Sequence, residues 1–92
     1  IKINKYIYNI MKKGYIYCYV PICEVKLYCI DIAYSYKDIL DTNRDIIFIK
    51  KIYNPNIIKK KFYKKFNKFL LINNIFSGTI KLKKIKDFFK MI

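Results

Sequence analysis

Apolar and polar positions alternate along several short stretches of this chain, and the alternation predicts strands. Residues 15–20 read Tyr-Ile-Tyr-Cys-Tyr-Val. Aromatic and β-branched residues at this density favour pleated backbone. Pro21 ends that strand or confines it to an edge. Residues 24–34 predict a second strand, with Val25, Leu27, Cys29 and Asp31 on one face and Lys26, Tyr28, Ile30 and Ile32 on the other. Its alternation is imperfect, as in a barrel strand covered on both sides, and residues 21–24 become a hairpin connection. Residues 46–53 predict a third strand and Leu70–Ile72 a short fourth. Residues 79–86 predict a last, half-buried strand, with Ile80 and Leu82 inward and Lys81 and Lys83 outward. Lys84 breaks its period, which a bulge would absorb.

Between these runs lie the interruptions. Residues 1–13 read as an arm or a short helix that ends at Gly14. Residues 35–46 read as an insertion loop with at most one helical turn; they hold three of the six acids. Asn54-Pro55-Asn56 is the clearest breaker in the chain, and Asn73-Asn74 and Gly78 mark two further turns. Residues 54–69 form a basic arm in which lysines alternate with aromatics. As a helix it would align Phe62, Phe66 and Phe69 on one side. As an extended segment it would display lysines and rings to a nucleic acid. The pattern leaves both open, and equally whether those rings are core or stacking groups. Residues 87–92 read as an apolar tail. No internal repeat divides the chain, so residues 1–92 are expected to form one domain.

Composition changes this picture in one respect. Ile, Lys, Tyr, Asn and Phe dominate, and these are residues of A- and T-rich codons, so their abundance reports on a genome first. The shortage of acids escapes that explanation. Lys plus Arg is 20 and Asp plus Glu is 6, a formal net charge of +14. Residues 1–49 hold seven bases and five acids, net +2; residues 50–92 hold thirteen lysines and Asp87 alone, net +12. Such an excess repels itself in a compact state and suits a polyanionic partner. The expected contact surface therefore lies mainly in the C-terminal half.

Other chemistry has little material. Histidine is absent and Glu24 is the single glutamate, so no acid–base pair at useful spacing is evident and an enzyme is not expected. Two distant glycines cannot build a phosphate loop. The cysteines, Cys18, Cys23 and Cys29, are odd in number and lack Cys-x-x-Cys spacing; they read as small apolar side chains in a reducing compartment, with no metal or cofactor expected. No signal-peptide pattern and no run of about 18 uncharged apolar residues occurs, so no membrane partner and no small-molecule substrate is expected.

Two resemblances bear on the basic half. Asn54-Pro55, the stretch Lys60-Lys61-Phe62-Tyr63-Lys64-Lys65-Phe66-Asn67-Lys68-Phe69, the turn Asn73-Asn74 and the run Gly78-Thr79-Ile80-Lys81-Leu82-Lys83-Lys84-Ile85-Lys86 resemble the bacterial and organellar family of small-subunit ribosomal protein seventeen. Asn54 stands where that family has His, and Thr79 where it has Asp. Gly14-Tyr15-Ile16-Tyr17 and the ending Phe88-Phe89-Lys90-Met91-Ile92 resemble small GIY-YIG nuclease domains. There the catalytic Glu position falls near Lys59 and no Arg matches, which implies a catalytically degraded, nucleic-acid-binding version with substantial helix in 55–70.

The first resemblance sets the leading expectation: a mainly β fold, a small OB-type barrel with a basic extended arm or loop. Its core would come from Ile16, Val20, Val25, Leu27, Ile47, Ile49, Leu70 and Ile80. The chain would be a structural constituent of an organellar small ribosomal subunit (apicoplast, plastid or mitochondrion), with ribosomal RNA and neighbouring ribosomal proteins as partners. Contacts to RNA phosphates are assigned to Lys59, Lys60, Lys61, Lys64, Lys65 and Lys68, with Tyr63 among them. Lys81, Lys83, Lys84 and Lys86 on the last strand, and Lys12 and Lys13, complete the set.

Overall fold

A computed structural model describes residues 12–23, 25–40 and 45–92. The arm expected over residues 1–13 therefore lies outside the described residues, apart from Lys12 and Lys13, as do Glu24 and residues 41–44. Strand β1 (Lys13–Val20) is the dense Tyr/Ile/Cys run, and Pro21 ends it. It lies between β2 (Leu27–Ala33) and β3 (Asp45–Tyr53), and pairs antiparallel with both. The hairpin β4 (Leu70–Ile72) and β5 (Ile75–Ser77) adds to the far side of β2, giving the order β3-β1-β2-β5-β4. The fold is mainly β, with a five-strand antiparallel sheet, but the sheet is open: β3 and β4 are its edges. Among the described residues strand takes 39% and helix 38%, so helices are as much a part of the architecture as strands.

Among the described residues three helices accompany it: α1 (Tyr36–Leu40), α2 (Pro55–Lys65) and α3 (Leu82–Met91), with a 3-10 turn at Asn67–Phe69. The insertion loop expected over 35–46 thus contains α1 and the first residues of β3. The basic segment after Asn54 is a helix and not an extended arm. Asn54 turns the chain with φ 52°, in the left-handed region that asparagine tolerates, and Pro55 starts α2 at a position where its missing N–H is no loss.

The strand expected over 79–86 is corrected to the lead-in and first turns of α3. Two cycles of alternation, at Ile80 and Leu82, imitate a strand; the apolar set that follows, Ile85, Phe88, Phe89 and Ile92, recurs at helical spacing and buries one face. Gly78 makes the turn into this segment. Its N–H donates to Lys26 O at 3.1 Å, and a Cβ there would lie 2.2 Å from that oxygen, so only glycine fits. The N–H of Asn54, at the other breaker, donates to Lys12 O at 3.1 Å, tying the start of α2 to the start of β1.

The sheet is covered on both faces, unequally. On one face Ile16, Cys18, Tyr28, Ile30 and Phe76 meet Phe62, Phe66, Ile85, Phe88 and Phe89 from α2 and α3. Phe62 is the hub: its ring centroid lies 4.5 Å from Phe66, 5.2 Å from Phe76 and 5.0 Å from Phe88, the last two edge to face. A bulge between Cys18 and Tyr19 leaves Ile47 unpaired, and both Ile47 and Phe48 consequently pack on this core. The other face holds Tyr17, Tyr19, Cys29, Ala33 and Ile39, the last contributed by α1. Of the expected barrel core, Ile16 and Ile80 are buried, and Val20, Ile47 and Leu70 pack partly buried on the helix side. Val25 and Ile49 are exposed: Val25 falls before β2 begins, and Ile49 faces away from both helices.

Candidate nucleic-acid interface

Helical periodicity sorts the lysines of α2. Phe62 and Phe66 point to the sheet, which leaves Lys60, Lys61, Lys64 and Lys65 together on the outward side, all exposed. The run that looked like a linear arm is thus a stripe one helix wide. Lys68 follows on the 3-10 turn, also exposed, with its Nζ 5.7 Å from the Phe69 ring centre. Lys65 lies similarly over Phe66 at 5.8 Å, its stem covering the edge of the core. The rings left undecided by the pattern are resolved: Phe62 and Phe66 are buried, and Phe69 packs partly buried on the same core.

Lys59 lies off that stripe, half-buried. Its Nζ is 4.0 Å from Asp31 Oδ1 and 5.6 Å from the Tyr63 ring centre. Asp31 is reachable because β5 pairs with β2 only as far as Cys29, so the outer side of β2 is open at that point. Lys59–Asp31 is the ion pair that forms among the described residues, and no described carboxylate pairs with the α2 stripe. Tyr63 packs edge to face on Phe76 at 5.2 Å, and burial, then Asp31 and Cys29, push its hydroxyl above the ordinary tyrosine value. Asn56, Lys59, Lys60 and Tyr63 line a cleft of about 290 Å³ on α2.

On α3, Lys83 and Lys86 point outward and Lys84 lies on the flank, all exposed; Lys81 precedes the helix, and its carbonyl accepts the Lys84 N–H at 2.9 Å. Because α2 and α3 both cover one face of the sheet, their outward lysines project from the same side of the molecule. Lys12 and Lys13 are elsewhere. Lys12 lies over Tyr34 at 4.6 Å, and Lys13, in β1, over Tyr53 at 4.7 Å. The expected site therefore divides into a helix-side lysine surface and a separate pair at the start of β1.

Two lysines outside the expected set make nonlocal contacts. Lys50 donates to the backbone carbonyls of Phe89, at 3.4 Å, and of Ile92, capping the C-terminal end of α3 where a cation suits the helix dipole. Lys51 lies over Tyr15 at 5.7 Å. Both contacts depend on long-range placement of β3, which no local pattern encodes. Among the described residues, no group of three or more His, Cys, Asp or Glu could hold a metal ion, and no helix is long and apolar enough to cross a membrane. No protein-family model, curated protein or solved structure matches this chain.

Proposed function

We propose that this chain is a non-catalytic nucleic-acid-binding domain that holds backbone phosphates on its helix side. The observation that carries the reading is the outward stripe Lys60, Lys61, Lys64 and Lys65, exposed and without a described carboxylate partner, in a chain of net charge +14. A merely solvated surface normally mixes both signs. Phosphate binding by such a stripe releases counterions, so affinity falls steeply with salt.

Of the two resemblances, the GIY-YIG-like one draws more support from the architecture. It implies helix where α2 stands, whereas the ribosomal reading drew on an extended basic arm and a basic last strand, both of which are helical. It also gives Lys59 a meaning. Near the position where the nuclease family has its Glu, this chain carries an amine paired to Asp31, a charge that would hold phosphate but not a catalytic metal. The ribosomal reading remains as a second one, supported by the mainly β sheet and the acid-poor C-terminal half. If the chain never travels with small subunits in a density gradient of the native extract, that second reading fails.

Reversing Lys60, Lys61, Lys64 and Lys65 to Glu tests the site itself. The variant should lose at least about 100-fold in nucleic-acid affinity at low salt, and the slope of log affinity against log salt should shrink by about three. An unchanged slope would place the phosphate contacts elsewhere.

A further inference from the structure

The face of the sheet opposite α2 and α3 carries a second concentration of charge and rings. In the register of β1 with β3, Lys13 is opposite Tyr53, and Tyr15 is opposite Lys51. Residues two apart on a strand share a face, so the two pairs make a checkerboard of two lysines and two tyrosines at one end of the sheet. The contacts are cation over ring: Lys13 Nζ is 4.7 Å from the centre of Tyr53, and Lys51 Nζ is 5.7 Å from that of Tyr15. Tyr36, from α1, extends the patch, its ring centroid 5.6 Å from Tyr15 with planes at 56°. Tyr53 is 61% exposed and Tyr36 51%. The one acid in β1 or β3, Asp45, is at the far end of the pairing, opposite Val20.

We infer that this checkerboard is a stacking platform for unpaired bases of a single-stranded nucleic acid. Exposed tyrosine rings take any base face, and the interleaved lysines reach the phosphates on either side, which is how sequence-tolerant single-strand sites are built. Duplex bases are already stacked on one another and gain nothing from the rings. The platform rests on the nucleic-acid reading above but is a separate surface, carried by different strands from the α2 stripe.

The whole chain is titrated with a short oligothymidylate, a matching oligouridylate and a duplex of the same length. Tryptophan is absent, so quenching of tyrosine emission reports stacking directly. Single strands of both sugars should quench it and the duplex should not. Tyr53→Leu should weaken single-strand binding about tenfold and leave duplex affinity within about twofold, while Tyr53→Phe keeps both. Tyr36→Leu, on another element, should give the same selective loss. Unchanged single-strand affinity in both leucine variants, or equal loss for duplex, overturns the platform. Binding to duplex alone overturns the platform and spares the domain's general function; binding to neither overturns both.

Discussion

The two faces of the sheet show opposite uses of the same few residue types. On the helix side the aromatics are inside and the lysines outside: Phe62, Phe66, Phe76, Phe88 and Phe89 interlock while the stripe of α2 faces solvent. On the other side the five-residue α1 contributes Ile39 among the described residues, and rings and lysines share the surface at one end, as at Tyr15, Lys51 and Tyr53. One composition, rich in Lys and aromatic residues, thus yields a layered face and a mixed face. The difference is the periodicity of the covering element. A helix can separate two residue types onto opposite sides, whereas strand ends that stay exposed, as at Lys51 and Tyr53, show whatever alternates along them.

The largest expected effect tests which face holds the fold. Phe62→Ala should cost about 3–5 kcal/mol, since it empties the hub of the ring cluster, and Ile39→Ala, the buried side chain of α1, about 2 kcal/mol. Chemical denaturation measures both, and equal costs would break the comparison. A second effect appears in alkali. Burial, with Cys29 adding, pushes the Cys18 thiol from 9.0 up to about 12. A thiol whose folded value is raised stabilises the fold fully below its unfolded value and progressively less as pH rises through the window from about 9 to about 12. Stability should therefore fall across that window, and Cys18→Ala should flatten the fall; an identical slope in the variant would sink the assignment. The smallest effect concerns Tyr28, whose buried hydroxyl has no hydrogen-bond partner among the described residues. Tyr28→Phe should leave stability unchanged or raise it by up to about 1 kcal/mol in the same denaturation assay. A loss beyond about 1 kcal/mol would mean that the hydroxyl is satisfied.

How much of this was legible in the sequence follows from how local each signal is. The dense runs at 15–20 and 46–53 announce β1 and β3 because every residue there favours pleated backbone. Asn54-Pro55 marks the start of α2, yet the spacing of Phe62, Phe66 and Phe69 could not say whether the segment coils, since lysine and phenylalanine suit either conformation. Ile80 to Lys83 suggest a strand because two cycles of alternation fit one; the decisive residues, Phe88 and Phe89, lie beyond that stretch, in what reads as an apolar tail. The three residues of β5 carry no signal of their own. The lysines of the candidate interface were visible as a run, but their sorting into an outward stripe and the separate role of Lys59 required the helix and the open edge of β2. The Lys13–Tyr53 and Tyr15–Lys51 pairs were out of reach, because they arise from pairing between strands about 35 residues apart in the chain.

The ring of Phe76 has a consequence for how this molecule opens. Strands β4 and β5 are three residues each, and β5 meets β2 over Leu27–Cys29 only. Strands this short ordinarily fray from a sheet on their own. Here Phe76 is fully buried, with edge-to-face contacts to Phe62 and Tyr63 of α2. To peel away, the hairpin must withdraw that ring and loosen the helix that carries the lysine stripe. The weakest strands in hydrogen bonds are therefore coupled to α2, and the two should come apart as one cooperative unit.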